Sequence, residues 1–220
     1  MKLTAIGSVI PGLAAACYAA ILLADPSSSF NFQQLKGRPN LDQTPLGNSA
    51  KWSLEKLLAL TQREGVKLWS GLPAVPIKEM NGHYLGLIPC ADNIEQQRKY
   101  AKLFLNENSG IGYWLGNGFR PTGDTTGEGY NRFRLRGGTI VRNYRMKTRI
   151  GPSSIDGKPS FIVDYSEFHK EPPTREELRK LDDSSYLGVS RNPTAKGKRD
   201  ELFFWVLVGP TDEWVGPNQE

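Results

Sequence analysis

The sequence predicts a mainly β protein with a few helices: a small antiparallel β-barrel or strongly curved sheet behind an N-terminal transmembrane helix. Three observations carry this reading. The 220 residues include 23 Gly and 15 Pro, a content that suits many turns joining short strands better than a helical bundle. Segments of strand-like patterning recur between turn signals at 82–88, 112–119, 129–136, 139–150, 159–166, 184–190 and 201–209, which makes seven strands with short connections. The third observation is the stretch 130–150, which reads as an in-register hairpin with one apolar and one strongly basic face.

The chain divides into a leader at 1–24, an arm at 25–51 and one domain at 52–220. Residues 3–24 hold no charge, follow Lys2 and precede Asp25-Pro26. Crossing a bilayer takes about 20 apolar residues, so the leader reads as an uncleaved single-pass membrane anchor. A cleaved signal peptide, with Ala14-Ala15-Ala16 before Cys17 as its site, and a buried helix are the alternatives. The positive-inside bias of Lys2 then places the domain on the non-cytoplasmic side, in a periplasm, a lumen or the exterior. The arm is rich in Ser, Asn, Gln, Gly and Pro and reads as extended linker. Residues 52–220 suffice for one core of ordinary size.

Within the domain, helical spacing of Leu54, Leu57 and Leu58 predicts a helix over 53–64, and a second is predicted over 92–106 with Asp92 as its cap. A third is predicted to start at Thr174, where Thr174 and Glu177 form a capping box. The apolar run 202–208, with Phe203, Phe204 and Trp205, predicts a strand buried on both faces and packed against the N-terminal helices.

Composition excludes more than it names. The 28 Lys+Arg against 23 Asp+Glu leave a net charge of +5, which favours anionic surfaces without naming a partner. The cysteines are Cys17 and Cys90; with Cys17 in the leader, no internal disulfide is expected and Cys90 reads as a small buried hydrophobe. His83 and His169 are too few and too scattered for ligand spacing, so neither a metal nor another cofactor is expected. Gly116, Gly118, Gly123, Gly127 and Gly129 lack the Lys-Ser/Thr ending of a phosphate loop and read as turn formers.

Gly137-Gly138 predicts a two-residue hairpin loop. Arg136 then pairs with Thr139, Arg134 with Val141, Arg132 with Asn143 and Tyr130 with Arg145. One face gathers Arg132, Arg134, Arg136, Arg145, Lys147 and Arg149, either a solvated outer wall or a surface for anionic lipid or an acidic partner. The other carries Asn131, Phe133, Leu135, Ile140, Arg142, Tyr144, Met146, Thr148 and Ile150. From this face Phe133, Leu135, Tyr144 and Met146 are the expected ligand-lining residues, and Arg142 is the interior cation that would anchor the carboxylate of an apolar ligand. Asp164, Tyr165 and His169 are candidates for general acid/base work, although alternation puts Asp164 on the side opposite Tyr165. Arg and aromatic residues interleave at 130–134, but a leader that carries the domain across a membrane argues against nucleic-acid binding.

Gly112-Tyr113-Trp114, opening a strand after a helical stretch and followed by successive hairpins, resembles the Gly-x-Trp motif of the lipocalin or calycin superfamily over residues 82–209. The resemblance implies a barrel with Gly112 and Trp114 as closing elements and a small apolar molecule bound inside; a few members of that superfamily are isomerases, cyclases or lyases. The function expected is therefore a membrane-anchored protein that binds an apolar or amphipathic small ligand. Two alternatives stay open: a non-catalytic subunit of a membrane protein complex, and an enzyme acting on an apolar substrate.

Overall fold

The computed structural model describes residues 52, 60–89, 94–169, 175–192 and 201–218. The expected anchor, the arm, Cys17, Cys90, the caps at Asp92 and Thr174 and most of the helix at 53–64 lie outside the described residues. Among the described residues no helix is long and apolar enough to cross a membrane.

Eight strands form a closed antiparallel barrel in which each pairs with its neighbours in sequence. They are β1 (Gly82–Leu87), β2 (Tyr113–Pro121), β3 (Thr126–Arg134), β4 (Ile140–Pro152), β5 (Pro159–Asp164), β6 (Arg175–Lys180), β7 (Ser185–Asn192) and β8 (Glu201–Asp212). β1 closes on β8 through the pairs Leu85 with Val208, Gly86 with Leu207 and Leu87 with Val206. Closure removes the unpaired edges that an open sheet would present.

The eighth strand is the segment predicted to be a helix from Thr174. Arg175–Lys180 is β6, paired with β5 at Phe161, Ile162 and Val163 and with β7 along its whole length. Its sequence, Arg-Glu-Glu-Leu-Arg-Lys, has one apolar residue and therefore no alternation to read. Charges stand on both of its faces, and tertiary partners hold them there.

The hairpin loop holds three residues, where two were predicted. Leu135 N–H donates to the Thr139 carbonyl (2.8 Å) and Gly138 N–H to that of Leu135 (3.0 Å), with Gly137 and Gly138 at φ 91° and 90°. Near the loop the register is thus one residue away from the prediction: Arg134 faces Ile140, Phe133 faces Val141 and Arg132 faces Arg142. A bulge opposite Tyr130 then takes up the extra residue, with Tyr144 at φ 53°. From Gly129, which faces Met146, the predicted register holds. Because one residue of slip turns a strand over, Arg142 and Ile140 belong to the outer face near the loop and Val141 and Asn143 to the inner one.

Four of the five glycines expected in turns, Gly116, Gly118, Gly127 and Gly129, lie inside β2 and β3; of the five, Gly123 sits in the connection between them. They are sites of close approach. A Cβ on Gly118 would meet the Tyr130 ring at 2.6 Å, and one on Gly129 would meet the Gly118 carbonyl at 2.7 Å.

Among the described residues two α-helices pack on the barrel. α1 (Gln62–Trp69) starts at a capping box formed by Thr61 and Glu64, overlaps the last residues of the span expected to be helical, and lies on the outer wall. Gly65 allows it to sit against Phe204, whose ring atoms come within 2.6 Å of where a Cβ would be. The Gln62 amide bonds both the N–H (2.6 Å) and the C=O (3.0 Å) of Phe204, on the part of β8 beyond Val206 where pairing with β1 has ended. The run Phe203–Val208 is accordingly buried throughout. α2 (Ile94–Phe104) falls within the predicted span and packs Tyr100 and Phe104 on Phe203 at 4.2 and 5.5 Å between ring centroids.

Candidate functional site at one end of the barrel

Strand pairing decides which side chains face inward, and the two ends of the interior differ. At the end where β1 begins, Tyr84, Phe119, Phe161 and Tyr186 meet across the lumen, with centroid distances of 5.9 Å for Tyr84 and Phe119, 5.6 Å for Tyr84 and Tyr186, and 5.5 Å for Phe119 and Phe161. None of these rings is more than 2% exposed. Each contributes about 1.5–3 kcal/mol of burial energy, and together they plug this end. Tyr84 O–H donates to the Glu79 carbonyl at 2.9 Å, so its one polar atom is satisfied.

At the opposite end the inner wall sets polar groups among aromatic rings. Trp114 Nε1–H donates to Asn131 Oδ1 (3.0 Å), and Asn117 Nδ2 donates to the same oxygen (3.1 Å). Asn131 Nδ2 donates to the Tyr165 hydroxyl (2.9 Å), which donates to Glu176 Oε2 (2.8 Å). From the other side Trp205 Nε1–H donates to Ser190 Oγ (3.0 Å), which donates to Glu176 Oε1 (2.9 Å). Two relays of hydrogen bonds, drawn from β2, β3, β6, β7, β8 and the residue after β5, therefore converge on one carboxylate.

Burial raises the pKa of Glu176 against the lowering effect of its hydrogen bonds from Tyr165 and Ser190. Burial, with the Glu176 charge beside it, also raises that of Tyr165 well above the phenol range, which keeps the hydroxyl a donor. Asn131, Tyr165 and Glu176 nevertheless keep accessible surface, unlike the aromatic plug. Asn117 is 1% exposed and its Oδ1 has no hydrogen-bond partner. Trp114 and Trp205 meet edge to face with centroids 5.8 Å apart. Glycines give both indoles room, since a Cβ on Gly86 would strike Trp114 and one on Gly188 would strike Trp205.

The residues expected from sequence to line a ligand site are distributed around this end. Phe133 is buried on the inner wall, and its ring lies 5.7 Å from that of Tyr144, which is 40% exposed. Met146 is buried toward the plug, and Leu135 is half-buried at the hairpin loop. Arg142 faces outward, paired with Arg132. Of the proposed acid/base residues, Tyr165 is in the polar chain and His169 has its ring 6.1 Å away with a buried, unpartnered Nε2. Asp164 faces the other way and accepts from the Ser166 hydroxyl (2.6 Å) and N–H (2.9 Å). Sequence reasoning missed Glu176, Ser190 and Asn117. The signal for Glu176 would have been a strand reading of 175–180, which sets it on the face opposite Glu177 and Arg179.

The basic residues of the hairpin stand outside, many of them against the protein's own groups. Arg134 Nε donates to Glu107 (2.6 Å) and its guanidinium lies over Tyr113. Arg145 lies over the Phe168 ring, and Lys147 is 3.6 Å from Glu167. Arg149 and Arg136 are exposed, Arg136 in the loop. Arg132 and Arg142 each have an Nε without a hydrogen-bond partner. The segment after β8 runs over this wall: Trp214 packs on Tyr130 with ring centroids 4.5 Å apart, and Asn218 exchanges two 3.1 Å hydrogen bonds with the Arg142 backbone.

Beneath that segment His83 and the Tyr130 hydroxyl share a hydrogen bond of 2.6 Å. Burial, then the Arg132 charge, bring the His83 pKa down to about 4, with Asp212 opposing and Arg142 assisting. A base whose pKa falls on folding adds stability above its unfolded value and loses it as pH drops through the folded one. Between about pH 6.5 and 4 the protein is expected to lose roughly 1–2 kcal/mol through this residue, after allowance for solvent screening. His83→Gln should flatten that part of a urea-unfolding pH profile, and an unchanged slope would refute the assignment.

No protein-family model matches the chain, and no curated protein matches it. Among solved structures, the crystal structure of a protein from Thermomonospora curvata is similar at a TM-score of 0.45 and 16% sequence identity, over 67% of this chain and 86% of that one.

Proposed function

We propose that this protein is a lipocalin-like binder of an apolar or amphipathic small molecule, held in the barrel end lined by Trp114, Asn131, Tyr165, Glu176 and Trp205. The observation that carries the reading is the asymmetry of the lumen. One end is filled by aromatic side chains at 0–2% exposure, whereas Asn131, Tyr165 and Glu176 at the other keep accessible surface. Aromatic and apolar side chains with a few convergent polar groups are the usual lining of a small-molecule site. On this reading Phe133 and Tyr144 flank the mouth, and the uncharged stretch 3–24 tethers the barrel to a membrane with its site on the non-cytoplasmic side.

The test is a thermal-shift panel of fatty acids, alcohols, amines, pigments and lipids on the full chain. A ligand at 100 times its Kd stabilises by about 2.7 kcal/mol, which raises the Tm of a chain this size by roughly 5–10 °C. A flat response across the panel would count decisively against the proposal.

A further inference from the structure

We infer that the site selects a cation: its ligand carries an ammonium or amidinium group that Glu176 holds, with the Asn117 carbonyl oxygen as a second acceptor. The inference rests on the reading that this barrel end binds a small molecule and adds the chemistry of the ligand's head group.

The direction of the hydrogen bonds makes the argument. The indole hydrogens of Trp114 and Trp205 and the hydroxyl hydrogens of Tyr165 and Ser190 are all engaged within the chain that ends on Glu176. The Asn131 amide cannot be turned round, because its oxygen accepts from both Trp114 and Asn117 while its nitrogen donates to Tyr165. That in turn fixes Asn117 with its nitrogen toward Asn131 and leaves its Oδ1 as a buried acceptor with no donor. What this hydrogen-bonded chain leaves for a ligand is therefore acceptors: the Asn117 oxygen and the lone pairs of the Glu176 carboxylate that Tyr165 and Ser190 leave unused.

Charge points the same way. The partners of Glu176 are two neutral hydroxyls. Among the described residues no lysine or arginine on the strands faces this end of the lumen. The inward-facing Lys180 lies at the plugged end, 2.9 Å from Glu79 and 3.2 Å from Asp183. A carboxylate withdrawn from water without a cation is costly, and a partner that brings the opposite charge with N–H donors removes that cost. The two indoles at 5.8 Å add aromatic faces of the kind that attract cations. A carboxylate ligand would meet Glu176 as a like charge, so the head group expected here has the opposite sign from the one an inward Arg142 would have anchored.

Three probes of equal chain length separate the possibilities: octylamine, octan-1-ol and octanoate, titrated calorimetrically into the full chain at pH 7. Octylamine is expected to bind at least about tenfold more tightly than octan-1-ol, as a charge-assisted hydrogen bond implies, with octanoate weakest. Glu176→Gln should abolish the preference for octylamine over octan-1-ol, read as the ratio of their affinities in the same variant. Equal affinities of amine and alcohol, an octanoate preference, or an amine preference that survives E176Q would each overturn the cation assignment alone. Failure of all three probes to bind would overturn the ligand-binding reading together with it. The head-group ranking needs no variant, so the inference is decided even if E176Q does not fold.

Discussion

Arg179→Met is expected to destabilise the protein by about 3–5 kcal/mol in equilibrium urea unfolding, the range for breaking a buried ion pair from one side. The side chain is fully buried on the outer wall of β6. Its two terminal nitrogens bond both oxygens of Asp156 at 2.8 and 2.7 Å and the carbonyls of Trp69 (2.8 Å) and Lys158 (3.3 Å). The guanidinium also lies 4.7 Å over the Trp69 ring, so it pins the end of α1 to the barrel. Methionine fills the volume but removes four hydrogen bonds and the counter-charge of Asp156, leaving these acceptors only the backbone N–H groups of Leu72, Ser153 and Lys158. The hydrogen bond from Arg179 is the chief cause of the lowered Asp156 pKa. That contribution is present above the unfolded carboxylate value and is lost as pH falls through the folded one. The gap between wild type and variant should therefore narrow below about pH 4. A loss under 1 kcal/mol would show that the pair does not hold α1 in place.

Gly116→Ala is expected to cost at least about 3 kcal/mol, combining unfavourable backbone conformation with overpacking. Gly116 sits at φ 120° beside a bulge in β2, and a Cβ there would fall on the Tyr84 carbonyl oxygen and the Gly86 amide nitrogen, with Leu85 C at 3.0 Å. These are backbone atoms of β1 that cannot turn aside as a side chain could, so β1 and β2 must separate. Gly137→Ala is the control. Its φ is 91° but nothing lies within 4 Å, so strain alone, about 1–2 kcal/mol, should remain. Urea unfolding of the two variants separates close approach from strain, and equal losses would mean that the contact with β1 is unimportant.

Much of the fold was legible because most strands obey alternation. β1, β2, β4, β5, β7 and β8 fall where apolar and polar residues alternate or run apolar between turn residues, and β3 begins only slightly earlier than expected. β6 was not legible, because its stability comes from contacts that no local pattern records: Arg179 with Asp156 and Trp69, Glu177 with the Ser154 N–H, and Glu176 with two hydroxyls. With Leu178 as its one apolar residue, helical propensity was the stronger local signal.

The hairpin shows how far a register can be read. Its faces are correct at Phe133, Met146, Thr148 and Ile150, yet a glycine pair suits both two- and three-residue loops, and the choice moved Arg142 to the outside. The same limit hid the site. Tyr165 was singled out for its chemistry, but its hydrogen-bond partners Asn131 and Glu176 come from β3 and β6, and only the pairing and curvature of the strands from β3 to β6 bring them to its hydroxyl.

The most direct test of a ligand site at the polar end of the barrel uses the tryptophan indole N–H resonances during titration with octylamine and octan-1-ol. The signals of Trp114 and Trp205, which line that end, should move saturably with at least one probe, while those of Trp69 and Trp214 on the outer wall stay in place. Saturable shifts confined to Trp69 or Trp214, or none at any tryptophan, would contradict the account.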